Sequence, residues 1–154
     1  LSACVGKATL MDAAWPKATG EAIHTSTFLG NPVGCAMALA QIDELEKRQL
    51  VQRSARVGSR LFSKLAAISF PRELVAHVRG RGLMIGIELR KRDGSPATSP
   101  AVSAVKAMLR RGYILLPEGE MSNVLSLTPP LTIRTRYLDK AVEVLEEVLM
   151  ECVQ

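Results

Sequence analysis

Three consecutive hydroxyl side chains, Thr25, Ser26 and Thr27, stand a few residues ahead of an expected helix start. Asn31 can cap that helix with its side-chain oxygen, and Pro32 suits the first helical position because its missing N–H is not needed there. Hydroxyl groups beside a buried helix start can hold an anion such as phosphate, which the helix dipole also attracts. The alternative is a capped, close-packed helix that binds no ligand. These residues alone favour that alternative, because short motifs often match by chance.

Histidine and cysteine do not occur here in a pattern that binds metal. His24 and His77 are far apart and have no histidine, cysteine or carboxylate partner at ligand spacing. We expect His24 to be a hydrogen-bonded structural residue, although it lies close enough to the hydroxyl segment to shape a phosphate pocket. Cys4, Cys35 and Cys152 are also far apart, and each has apolar neighbours. They are therefore predicted to be buried thiols in a reducing compartment.

The composition is typical of a globular protein. A chain of 154 residues, of which 47% are hydrophobic, accommodates one domain or one domain and a remnant of another. The net charge of +5 is scattered, and aromatic residues are few, which argues against stacking on nucleic acid bases. No apolar run reaches the roughly 20 residues that a membrane helix needs, and no signal-peptide pattern is visible. We expect a cytoplasmic protein. Because the chain begins inside an apolar stretch and without Met, we also expect a fragment of a longer one.

The apolar periodicity switches between helix and strand along the chain. The pattern predicts a small, largely antiparallel sheet covered by helices on one face, which is an α+β fold. We place a domain boundary near Gly30, with residues 1–30 as a remnant of a preceding domain and residues 31–154 as an α+β domain with a long leading helix. The predicted strands are Leu1–Val5, Leu74–Arg79, Leu83–Arg90, Tyr113–Leu116 and Val124–Leu127. The predicted helices are Lys7–Trp15, Pro32–Arg48 continuing to about Ile68, and Pro100–Arg111. A last helix is predicted to carry on one face Leu138, Ala141, Val142, Leu145, Val148, Leu149 and Cys152.

Four segments, in order, resemble the class III aminotransferases, which are pyridoxal-phosphate enzymes of fold type I. Residues 26–32, Ser-Thr-Phe-Leu-Gly-Asn-Pro, resemble the Ser-Thr-aromatic-x-Gly-Asn-Pro segment of that family. Residues 1–6 resemble the strand that follows the catalytic lysine of the family. Residues 78–88 resemble its Val-Arg-Gly-x-Gly-Leu-Met strand pair, and residues 128–133 its late Pro-Pro-Leu segment.

The resemblance implies a function that the residues alone do not. Thr27, and also Ser26, would bind the phosphate of pyridoxal 5'-phosphate, and would do so in the active site of the neighbouring subunit of a homodimer. An amino group would pass from an amino acid or amine to a 2-oxo acid, with no nucleic acid or membrane partner. Residues 1–30 would belong to the large cofactor-binding domain, and residues 31–154 would form the small C-terminal domain. The catalytic lysine would precede Leu1, so we expect the isolated chain to be inactive. Lys7 matches a variable surface position of the family.

Several alternatives remain open. Some members of the family carry an arginine in the substrate region where this chain has Ser126, so the resemblance does not identify the substrate. Arg79 and Arg81 flank a turn glycine and could meet a substrate carboxylate, but exposed turn arginines are common. Arg134 and Arg136 are interpreted as solvated charges at a helix start. An aminomutase or racemase of the same class is one alternative function, and a binding or assembly module without catalysis is another.

Overall fold

The computed structural model describes Ser2, residues 4–15, Gly20 and residues 27–152. The chain divides into two compact units, Leu1–Arg48 and Gln49–Gln154. In the first unit, helix α1 spans Ala8–Ala14 and helix α2 spans Pro32–Lys47. Both helices were predicted from the sequence, and α2 begins at the proline that follows its cap.

The second unit is an α+β domain, as predicted. Its four strands form one sheet of order β1-β2-β4-β3, and every neighbouring pair is antiparallel. Helices α3 and α4 pack against the strands, and α5 packs against α3 and α4. Among the described residues, no helix is long and apolar enough to cross a membrane. The elements are α3 (Leu50–Ala67), β1 (Leu74–Arg81), β2 (Met84–Lys91), α4 (Thr98–Arg110), β3 (Leu116–Glu118), β4 (Val124–Leu127) and α5 (Thr135–Glu151).

The strand β2 organises this domain because it lies between β1 and β4 and buries one face. The alternate residues Ile85, Ile87 and Leu89 are buried, together with Leu83 just before the strand. Side chains that alternate along a strand point to opposite faces, so the even-numbered residues face away from the core. The period-two prediction for this strand is confirmed.

The β1–β2 hairpin turns at Gly82 and Leu83, so β1 ends two residues later and β2 begins one residue later than predicted. Arg81 pairs with Met84, so Gly80 and Arg81 belong to the strand. Gly82 adopts a φ of 57°, which favours glycine. A side chain at Gly58 of α3 would come within 2.0 Å of the Gly82 carbonyl oxygen. The close approach of helix and turn therefore depends on glycine at position 58.

Two predictions about the helices were wrong. The continuous helix through Gln49 is broken, because Gln49 has a left-handed φ of 48° and separates α2 from α3. The apolar period of α4 groups Leu109 with Val105 and Met108 on a predicted inward face, but Leu109 is exposed. The buried positions of α4 are Ala101, Ala104 and Met108, which places the inward face of the helix on a neighbouring stripe of side chains.

The predictions for two strands and for the cysteines also differ from the structure. The predicted strand Leu1–Val5 lies partly outside the described residues, and Ser2, Cys4 and Val5 are not in a strand. The strand at 113–116 is displaced to Leu116–Glu118, where it finds hydrogen-bonding partners on β4. Cys4 and Cys35 are exposed rather than buried, and Cys152 is half-buried. Cys35 lies in α2, which contains no buried residue.

Substitutions on opposite faces of β2 should have very different effects on stability. Ile87→Ala removes a side chain that is 0% exposed, and we expect it to lower the free energy of unfolding by about 2–5 kcal/mol. Met84→Ala is the matched control, because Met84 is 69% exposed and its loss should change stability by no more than about 0.5 kcal/mol. Urea unfolding followed by circular dichroism measures both. Equal losses would contradict the assignment of the two faces.

Candidate functional site

Of the two predicted phosphate ligands, Ser26 and Thr27, the structure describes Thr27. Residues 27–30 form a turn in which the Asn31 N–H donates to the Phe28 carbonyl at 3.1 Å, and Gly30 has a φ of 66°. The Thr27 side chain is exposed, so its hydroxyl is accessible to a ligand. Ser26, the other predicted ligand, and His24 lie outside the described residues.

The start of α2 has little N–H capacity left for an anion. The Asn31 side-chain oxygen accepts from the N–H groups of Val33 at 2.9 Å and Gly34 at 3.1 Å, as the cap prediction required. The Cys35 N–H donates to the Asn31 carbonyl at 2.9 Å, and Pro32 has no N–H. These residues fit a phosphate held through the Thr27 hydroxyl ahead of the helix, rather than one seated on the first-turn amides. The helix dipole still favours an anion near this end.

The apolar side chains of α2 are not covered in the first unit. The sequence predicts a helix start that is hidden on all sides, but α2 contains no buried residue. Met37 is 69% exposed and Leu39 is 66% exposed. The prediction was wrong for this chain because composition shows only that a helix is suited to burial. It does not supply the surface that covers it.

Of the two arginines predicted to flank a turn glycine, Arg79 already binds a carboxylate of this chain, and Arg81 is exposed. Arg79 Nη1 lies 2.5 Å from Glu88 Oε2, and Arg90 Nη2 lies 2.6 Å from Glu88 Oε1. His77 pairs with Glu88 in the strand register, and Glu88 is on the face of β2 that points away from the core. Two hydrogen bonds lower the pKa of the Glu88 carboxyl. The one from Arg79 has the larger effect and the one from Arg90 the smaller. Arg79 is therefore a structural ion-pair partner in this chain.

An apolar groove of about 430 Å³ lies beside β4 and the start of α5. Its lining includes residues 113–116, Ser126–Pro130, Ile133 and Tyr137. The Pro-Pro-Leu segment forms one wall, and the hydroxyl groups of the lining come from serine, threonine and tyrosine. Small-molecule sites are usually concave and mostly apolar, with a few polar groups and volumes of about 300–1,000 Å³. This groove has those properties.

Ser126 faces away from the core at the edge of this groove. It pairs with Gly86 on β2 and with Leu116 on β3, which places it on the uncovered face of the sheet. Arg136 lies over the Tyr137 ring at 4.9 Å, and Arg134 is exposed before α5. Within the described ranges, no group of histidine, cysteine and carboxylate side chains is arranged to hold a metal ion.

Sequence reasoning missed one residue that helps to build the groove. Arg53 of α3 donates to the carbonyl groups of Leu131 and Ile133 in the Pro-Pro-Leu segment. Those partners are 78 and 80 positions away, so no local spacing indicates the contact. The helical period groups Arg53 with Arg56, Arg60 and Lys64 on an outward face, whereas the structure makes Arg53 half-buried.

The ion pairs of Glu88 should lower the pKa of its carboxyl group by an amount that can be measured. We expect its pKa, followed by NMR, to lie below the ordinary value and to rise in Arg79→Met, which removes the largest cause of the shift. Because the pKa is lower in the folded state, this contribution to stability is present above the ordinary glutamate pKa and is lost as the pH falls through the lowered one. Arg110→Met, at the exposed end of α4, is the control. An unchanged titration in Arg79→Met would contradict the pairing.

The comparisons with known proteins identify one family. The sequence profile of the aminotransferase class-III family matches residues 1–149. The chain is 38% identical over 152 residues to a 5-aminovalerate aminotransferase of Pseudomonas putida, a match that covers 98% of this chain and 35% of that protein. It is 35% identical over 153 residues to a leucine/methionine racemase of Thermococcus litoralis, covering 98% of this chain and 33% of the racemase.

Solved structures give the same result. A transaminase from the marine bacterium Virgibacillus superposes with a TM-score of 0.74 at 30% identity, covering 86% of this chain and 31% of that one. A Bacillus anthracis aminotransferase has a TM-score of 0.73 at 32% identity, covering 88% of this chain and 32% of that one. The chain spans about a third of the length of these relatives. With a profile match along nearly its whole length, the chain belongs to the class III aminotransferase family.

Proposed function

We propose that this chain is the C-terminal part of a pyridoxal-phosphate-dependent aminotransferase that transfers an amino group from an amino acid or amine to a 2-oxo acid. The observation that carries the proposal is the family match across residues 1–149. Pyridoxal phosphate, when bound, supplies the electron sink for this chemistry, and the protein supplies binding and orientation. The lysine that holds the cofactor covalently belongs to the enzyme outside these 154 residues. Residues 1–30 are part of its large domain, and residues 31–154 form its small domain.

Thr27 is the residue of this chain that holds the cofactor phosphate, with Ser26 beside it. The support is the exposed Thr27 hydroxyl, on a turn that leads into a helix with a fixed cap. The hydroxyl donates to a phosphate oxygen in the active site of a second subunit. The side chains along α2, exposed here, favour burial against the rest of the enzyme or its second subunit.

A racemase is the second candidate, because the Thermococcus litoralis relative is matched over as much of this chain as the aminotransferase of Pseudomonas putida. Both activities would begin with the removal of a proton from the substrate carbon that carries the amino group. They differ in whether the amino group leaves the substrate carbon.

The complete enzyme should be active, and the 154-residue chain alone should be inactive. Both are incubated with pyridoxal phosphate, a panel of amino acids and amines, and a 2-oxo acid, and the new amino acid is quantified by chromatography. A transaminase yields product only with the 2-oxo acid, whereas a racemase yields the opposite enantiomer without it. Transamination by the isolated chain would contradict the placement of the lysine, and an inactive complete enzyme would favour a binding or assembly module.

Thr27→Ala in the complete enzyme should weaken the binding of pyridoxal phosphate. A hydrogen bond to a charged group contributes about 1.5–3 kcal/mol, so the dissociation constant should rise about ten- to a hundredfold. Thr27→Ser is the matched control, and its effect should be much milder because the hydroxyl remains. Titration of the apo forms measures both. Equal affinities in all three proteins would remove Thr27 from the phosphate site.

Mixed dimers test whether Thr27 acts across the subunit interface. Thr27→Ala subunits are exchanged with subunits that lack the catalytic lysine. If Thr27 serves the partner's site, one site of the mixed dimer carries both defects and the other carries neither, so activity should partly return. No recovery after confirmed exchange would place Thr27 in the pocket of its own subunit.

A further inference from the structure

The side chain of Arg53 connects α3 to a distant loop. Its Nη1 donates to the Leu131 carbonyl, and its Nη2 donates to the Ile133 carbonyl. Arg53 is half-buried, and the planar guanidinium presents its donors in a fixed fork, which suits two acceptors that lie close together. Hydrogen bonds to a charged donor are stronger than those between neutral groups.

The loop that Arg53 holds packs Leu131 and Ile133 partly against the core, but its backbone has few hydrogen-bonding partners. Pro129 and Pro130 have no N–H, so this part of the loop cannot donate to a neighbouring strand. A turn closed by the Ile133 N–H, which donates to the Pro130 carbonyl at 2.9 Å, follows the prolines. Pro129, Pro130 and Ile133 line the groove beside Ser126. The carbonyl groups bound by Arg53 therefore belong to the backbone segment that forms one wall of the groove.

The helix that carries Arg53 is itself held firmly. Val57, Leu61 and Leu65 of α3 are buried in the core of the second unit. Ser54, the next residue, accepts a hydrogen bond from the Leu83 N–H at 3.1 Å in the β1–β2 turn. Adjacent residues of α3 thus hold two loops in place. A side chain anchored on a packed helix can fix the backbone of a loop that has few hydrogen-bonding partners of its own.

We propose that Arg53 is a positioning residue, which sets the wall of the groove beside Ser126 through the carbonyl groups of Leu131 and Ile133 and thereby shapes the substrate side of the active site. The link to substrate rests on the proposed aminotransferase function, whereas the fixing of the loop does not. Arg53 does not line the groove itself. Its effect on substrate is therefore indirect, through the loop.

Hydrogen exchange in the 154-residue chain tests the fixing of the loop. In Arg53→Gln, the Ile133 amide should exchange about ten- to a hundredfold faster, as expected for the loss of hydrogen bonds to a charged group. Arg53→Lys should be intermediate, because an ammonium group is a compact point charge and does not reproduce the fork. Arg56→Gln is the matched control, since Arg56 is an exposed arginine of the same helix. Unchanged exchange at Ile133 in folded Arg53→Gln would overturn the proposal.

Steady-state kinetics of the complete enzyme test the link to substrate. We expect Arg53→Gln to raise KM for the amino donor about tenfold. This is less than the roughly hundredfold that a misplacement of about 1 Å can cost, because Arg53 acts on the substrate only through the loop. The affinity for pyridoxal phosphate should not change, and Arg53→Lys should recover part of the loss. A lower melting temperature with unchanged KM would mean a purely structural role and overturn the proposal. A wild-type enzyme without amino-transfer activity would instead overturn the proposed function, and with it the link to substrate.

Discussion

The burial of one face of β2 beneath α3 and α4 is the contact on which the second unit depends. Ile87 and Leu89 are fully buried there, and β2 pairs with a strand on each side. A shift of register by one residue would exchange the two faces, so the buried side chains fix the register strongly. The same register places Glu88 and Ser126 on the opposite face. The burial of one face of β2 therefore determines which side chains lie on the opposite face, where they are available for binding.

Patterns that depend on neighbouring residues could be predicted from the sequence. The alternation along β2, the apolar stripe of α5 and the cap at Asn31 all follow from period or local hydrogen bonding. Features that depend on distant groups or an unusual backbone could not. The break at Gln49 requires a left-handed φ in a residue that is not glycine, and no local signal indicates it. The contact between Arg53 and the Pro-Pro-Leu segment joins residues 78 and 80 positions apart.

The candidate site could be predicted only in part. Family resemblance selected Thr27, and the structure gives that residue an exposed side chain ahead of a capped helix. The cap itself occupies two first-turn N–H groups that a phosphate would otherwise use, whereas Thr27 lies exposed ahead of them. Composition suggested a buried α2, but burial requires a covering surface, and this chain spans about a third of its relatives.

We propose that these residues complete a pyridoxal-phosphate enzyme whose cofactor is carried by a lysine elsewhere in the protein. The most direct measurement is to treat the complete enzyme with pyridoxal phosphate, reduce it with borohydride and locate the modified lysine by peptide mass spectrometry. We predict one stoichiometrically modified lysine, located outside the 154 residues. Modification of Lys7 or another lysine of this chain, or no specific modification at all, would contradict the account.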